Sequence, residues 1–186
     1  GAIAYGDGAE VEAECAGFHK AHAAANGQFS EAFMTAVSPG FAATALANNH
    51  YDSHEAYVFA LAKALRPEYE KIVEAGFILQ IDAPDMGMER QGFFQSDSTS
   101  EFLTALEMHV AALNEALVNI PEAQVRFHSC WGNRDGPHYF DIPCPDVLPV
   151  IFQAKAGALV LPFANSRHAH EIEAFRTQKL PDHMVL

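Results

Sequence analysis

Cysteine is scarce: Cys15, Cys130 and Cys144 are the only three in 186 residues. An odd, sparse set is no disulfide framework. It fits a reducing compartment and predicts a cytoplasmic protein. Positive charge is scarce too, with 11 Lys and Arg against 24 Asp and Glu and a formal net charge of −13. That balance excludes a general electrostatic attraction to nucleic acid or to an anionic membrane, and no Lys/Arg run offsets it locally. No apolar stretch approaches the ~20 residues of a membrane span. The opening "GAIAYGDGAE" lacks both the basic region and the long apolar region of a signal peptide. It also lacks an initiator Met, so a processed or excised piece is expected. No GxGxxG or Walker loop follows an apolar run, which argues against a nucleotide fold. Internal repeats and low-complexity segments are missing as well.

What remains reads as globular, with 49% hydrophobic and 19% charged residues. Ten histidines raise the weight of metal or proton chemistry. Helical and strand-like segments alternate. Asp7 to about Ala25 is Ala- and Glu-rich and predicts a helix. In "FMTAVSPG" the first five residues predict a strand, and Ser38-Pro39-Gly40 stops it. Ser53 is a good N-cap for the next helix, which carries Tyr57, Val58, Leu61, Leu65, Ile72 and Val73 at helical spacing and ends at Gly76. Pro67 is expected to kink or split it. "FILQIDAPD" predicts a strand with Asp82 at its C-terminal end. A helix capped near Ser98 or Ser100 follows, then the strand "VRFHSCWGN", a helix from "PDVLPV" to Gly157, and the strand "ALVLPFAN". "SRHAHEIEAF" predicts a further helix, and Met184 to Leu186 the start of another strand.

Near-continuous apolar strands alternating with helices imply a parallel sheet covered on both faces. Two architectures compete, an open doubly wound sheet and a (β/α)8 barrel. A complete barrel takes ~250 residues. About four strands can be counted here against the eight of a barrel, so the expectation is one partial-barrel domain over residues 1–186, about half of a TIM-type barrel. Both architectures place function at strand C-terminal ends, where Asp82, His128 and Cys130 collect.

In a strand, residues i and i+2 share a face, so His128 and Cys130 point the same way. Imidazole nitrogen and thiolate sulfur both bind zinc, which would hold the thiolate deprotonated. The alternative is a cysteine buried for packing. An acid such as Asp82 at the end of an apolar strand needs a partner. It could hold a substrate ammonium, orient a ligand or cap the following loop, and Asp85 could do the same. In "NSRHAHEIE", Arg167 and its neighbours could grip an anion near a helix N-terminus, or form a solvated first turn. His168 and His170 are two apart and do not share a helical face. His138, beside Gly136-Pro137, reads as structural or exposed, and Cys15 and Cys144 as packing residues.

Taken together, "FMTAVSPG", "LAKALRPEYEKIVEAGFILQIDAPD", "IPEAQVRFHSCWGN", "FANSRHAHE" and "KLPD" resemble the catalytic barrel of cobalamin-independent methionine synthases. The nearest likeness is to the short, single-barrel branch related to epoxyalkane–coenzyme M transferases, and it spans nearly the whole chain. It implies a cytoplasmic methyltransferase of methionine biosynthesis type. A zinc ion would bind a homocysteine-like thiol, and the thiolate would attack a methyl or alkyl donor. His128 and Cys130 match the family's first two zinc ligands, His128 also being counted as catalytic. Asp82 matches the strand-end aspartate that contacts the amino-acid substrate. Asp85, Trp131 and Asn133 would complete the substrate mouth. The family's next ligand is a glutamate, and here Pro162 stands in its place, with no ligand atom and no N–H. Its last ligand belongs to a later strand. Glu171 and His168 are the available stand-ins. The resemblance thus implies a zinc site that is incomplete within this chain. Two alternatives follow: a zinc-free paralogue doing lyase or decarboxylase acid–base chemistry with Asp82, Asp85 and His128, or a non-catalytic half-barrel that assembles with another copy or chain. Small molecules, and possible homo-oligomers, are the partners expected.

Overall fold

A computed structural model describes all 186 residues. Helix α1 (Ala9–Ala24) precedes three strand–helix steps and a fourth strand: β1 (Phe33–Val37), α2 (Pro39–Ala45), α3 (His54–Glu74), β2 (Ile78–Asp82), α4 (Thr99–Ala116), β3 (Val125–His128), α5 (Cys144–Ile151) and β4 (Ala158–Val160). The strands form one parallel sheet in the order β1-β2-β3-β4. The spatial order follows the chain order without a reversal. Its last edge is extended by a single bridge between Ala158 and Val185, a trace of the strand expected at Met184 to Leu186.

The local signals explain most of these elements. Ser53 caps α3 by accepting from the N–H of Ala56, and Gly76 adopts φ 87° where the chain leaves the helix. Ser98 and Glu101 form a capping box at the start of α4. The helix α3 runs on through Pro67 instead of splitting. The hydrogen bond that proline removes would have gone to the carbonyl of Lys63, an exposed position where water can serve. The segment Ser38-Pro39-Gly40 does more than stop β1. Ser38 caps α2, accepting from the N–H of Phe41, and Pro39 takes the first helical position.

Three boundaries differ from those the sequence predicts. The strand of "VRFHSCWGN" ends at His128, that of "ALVLPFAN" at Val160, and α5 at Ile151 rather than Gly157. Pro162 shortens β4 because it cannot donate to the ladder. Gly157 belongs to the entry into β4, its N–H donating to the carbonyls of Glu122 and Val125. "SRHAHEIEAF" forms a 3-10 turn over Ala169–Arg176 rather than an α-helix.

The two faces of the sheet differ. Ala36, Leu79, Ile81, Val125, Phe127 and Leu159 point to the helix side and are all buried. There they meet Val58, Ala62 and Ile72 of α3 and Phe102, Leu106 and Val110 of α4 in one apolar cluster. Full burial of each large side chain contributes roughly 1.5–3 kcal/mol. The opposite face carries Phe33, Thr35, Val37, Ile78, Gln80, Asp82, Arg126, His128, Ala158 and Val160, and none of these is buried. The expectation of cover on both faces is therefore corrected. Thr35, Gln80 and Arg126 lie in register across the middle of that face, and a polar row of this kind does not suit an apolar helix interface. No helix is long and apolar enough to cross a membrane.

Candidate functional site

The strand registers set Val37, Asp82, His128 and Val160 in one row at the C-terminal edge of the open face. His128 Nδ1 lies 3.1 Å from the carbonyl of Val160 and donates to it. That leaves Nε2 free, 3.7 Å from Asp82 Oδ1. Burial alternates onward past the strand end, with Ser129 and Trp131 inside and His128 and Cys130 half-buried. His128 and Cys130 therefore stay on one side even though Cys130 lies in the loop. Burial pushes the Cys130 thiol up; the N–H of Gly132 pulls it back down, and the nearby Asp82 carboxylate adds to the rise. Without a cation, this cysteine is held as the thiol. The donors His128, Cys130 and Asp82 do not make a gathered set of three: the one such set within 4.8 Å lies elsewhere. As the chain stands, this edge falls short of the three protein ligands of a catalytic zinc site.

Asp85 has no exposure, and is held between elements. Ser38 Oγ donates to Asp85 Oδ1 at 2.8 Å, and His109 Nδ1 donates to Oδ2 at 2.9 Å. His54 Nε2 then meets His109 Nε2 at 3.0 Å, at the start of α3. Burial lowers the His54 pKa, and His109 adds to that. Gly40 passes so close that a Cβ there would stand 2.3 Å from Asp85 Oδ2 and 2.4 Å from His109 Nδ1. The Ser38–Asp85–His109–His54 chain thus ties the loops after β1 and β2 to α3 and α4. His109 sits on the apolar stripe of α4 between Leu106 and Val110, which was the signal available for it.

A third cluster forms where the loop after β3 meets the segment after β4. His138 Nδ1 is 3.0 Å from both oxygens of Asp141. His168 Nε2 is 3.4 Å from Asp141 Oδ2, and the ring stacks on Trp131 with centroids 4.5 Å apart. Trp131 is buried and donates from Nε1 to the carbonyl of Ile142. Beside it a 230 Å³ cleft is lined by Met88, Glu89, Gln91, Gly92, Trp131 and Arg134. Burial lowers the His168 pKa, against the pull of Asp141 and Glu171. The sequence shows His138 and Asp141 three residues apart but gives no sign that His168 joins them.

The other anticipated residues are dispersed. Asn133, Arg167 and His170 are exposed. Glu171 accepts from the N–H of Cys144, whose thiol is pushed up to about 12 by burial and then by that carboxylate. With only a 3-10 turn at Ala169–Arg176, Arg167 has no α-helix N-terminus to work with. A larger cleft, 340 Å³, lies at the opposite end of the strands against Phe33, Ile78 and Arg126, and brings together no histidine or cysteine. Comparison with family models finds no match, and no curated protein or solved structure matches the chain.

Proposed function

We propose that this chain is half of a (β/α)8-type barrel whose strand ends handle a small thiol and transfer a methyl or alkyl group to it. The observation that carries the reading is the row Asp82–His128, with Cys130 on the same side just beyond it. Strand order without reversal supports the barrel, since a doubly wound sheet gathers its function where the order reverses. His128 is oriented to accept a proton, because its Nδ1–H is committed to Val160 and the lone pair on Nε2 faces Asp82. A substrate S–H that reached Nε2 would pass its proton there, and the Asp82 carboxylate would stabilise the imidazolium. The thiolate would then attack the alkyl carbon, and the leaving group would depart with the bonding pair. Zinc, bound at His128 and Cys130, would supply thiolate formation instead, but a further donor is needed from outside this set, because Pro162 offers none.

The shortage of donors favours a second reading, a zinc-free paralogue whose Asp82–His128 pair does acid–base chemistry of the lyase or decarboxylase kind. Zinc per chain separates a metal-held thiolate from the zinc-free routes, measured by elemental analysis on protein purified without chelator and on Cys130→Ser. Zinc that is present in the parent and lost in the variant supports thiol activation by metal, and alkyl transfer to thiols is the assay to run next. Zinc absent from both, or unaffected by the substitution, sinks the metal–thiolate reading and leaves the Asp82–His128 pair.

A further inference from the structure

The geometry points to a divalent transition-metal site at His138, Asp141 and His168, separate from the Asp82–His128–Cys130 edge. Each residue offers one ligand atom, and all three atoms lie within 4.8 Å of one another. The spacings suit one shared ion. Donors ~2.1 Å from a common centre stand roughly 3.0 Å apart at octahedral angles and roughly 3.4 Å apart at tetrahedral ones. His138 Nδ1 is 3.0 Å and His168 Nε2 is 3.4 Å from Asp141 Oδ2.

Two further observations point to a ligand. His168 is only 5% exposed, yet neither ring nitrogen has a hydrogen-bond partner. Its contact with Asp141 is near enough for charge but not aligned as a hydrogen bond. A buried imidazole with both nitrogens orphaned is costly unless something coordinates one of them. The second is the orientation of His138. Its Nε2 lies 3.2 Å from the carbonyl of Arg134 and donates to it. In the neutral ring this turns the Nδ1 lone pair toward the Asp141 carboxylate, with the Gln91 amide 3.2 Å from Nδ1 as its donor, and a cation would bind between ring and carboxylate by displacing that amide. A backbone carbonyl behind a histidine is also the usual outer support of a metal ligand.

The outer contacts are consistent with this. Gln91 Nε2 donates to Asp141 Oδ1, and Arg134 donates to Gln91 Oε1 at 3.1 Å. Trp131 backs the His168 ring. Two imidazoles and one carboxylate, with coordination positions left over, suit Zn²⁺ or Fe²⁺ rather than Ca²⁺ or Mg²⁺, and match catalytic rather than closed structural sites.

Co²⁺ is the probe, added to metal-stripped Cys130→Ser protein so that the other edge offers no thiolate. The expected result is one Co²⁺ per chain, with a visible ligand-field spectrum, no thiolate-to-cobalt charge-transfer band, and quenching of Trp131, the single tryptophan. Asp141→Asn and His168→Gln in the same background should weaken uptake by at least about tenfold. If those variants do not fold, uptake and quenching in Cys130→Ser decide alone. No uptake, uptake that leaves Trp131 unquenched, or uptake unchanged by folded Asp141→Asn protein overturns the site.

Discussion

Asp85 illustrates what a single charge does in this fold. It has no exposure and carries two charge-assisted hydrogen bonds, from Ser38 and from His109. Removing one partner of a buried pair costs more than the pair is worth, because the other partner stays buried and unpaired. Asp85→Ala is expected to lower unfolding stability by about 3–5 kcal/mol, read by urea denaturation. A loss below about 1 kcal/mol would mean that water replaces the carboxylate and that the network holds nothing together. At this scale the sequence is a partial guide. It marks Asp82, Asp85, His128 and Cys130 as residues of interest because of their place at strand ends. It does not show that Asp82 faces the open side while Asp85, three residues on, turns inward to a histidine on α4. That difference arises from the 3-10 turn over Pro84–Met86, whose direction no local periodicity encodes.

Elements show the same division. Strong caps and apolar periodicity make α3, α4 and β2 legible, since those signals act within a few residues. The early end of α5 and the 3-10 turn at Ala169–Arg176 carry no strong local stop or cap signal, and α2 is too short to show apolar periodicity although Ser38 and Pro39 mark its start. The first turn of α3 adds a consequence for pH. His54 is its first residue, pressed against Phe93 and bonded to His109. Its pKa lies below the usual histidine value of 6.5, through burial first and His109 second. A helix N-terminus also disfavours a cation there. The unfolded chain therefore takes up this proton before the folded one does, and stability rises with pH across that interval. Stability should be fully present above pH 6.5 and fall as pH drops below it toward the lowered folded value. His54→Gln should flatten that part of the curve, measured as the denaturation midpoint between about pH 5 and 7.5. An unchanged slope would assign the acid sensitivity to other groups, His168 foremost, whose pKa is lowered in the same direction.

At the scale of the whole molecule, the sheet is finished on one side only. Helices cover the face bearing Leu79, Ile81 and Phe127, while the other face leaves Phe33 41% exposed under the Arg126 guanidinium. β1 pairs with β2 alone, so its outer edge is free, and beyond β4 there is one bridge, to Val185. Open edges and a partly apolar face together form an association surface. Two copies meeting through these faces and edges would enclose the Thr35–Gln80–Arg126 row and bring the two strand-end clusters toward a common mouth. The chain is thus expected to sediment above the mass of a single 20.3 kDa copy at micromolar concentration. Each copy carries −13 charges, so salt should strengthen the association by screening their repulsion. Phe33→Glu puts another charge on the open face without touching the helix-covered core, and should return the protein to monomer with its unfolding midpoint little changed. A parent protein that sediments as a monomer at every salt concentration would refute self-assembly through this face. Association that survives Phe33→Glu would place the interface on the helix side instead.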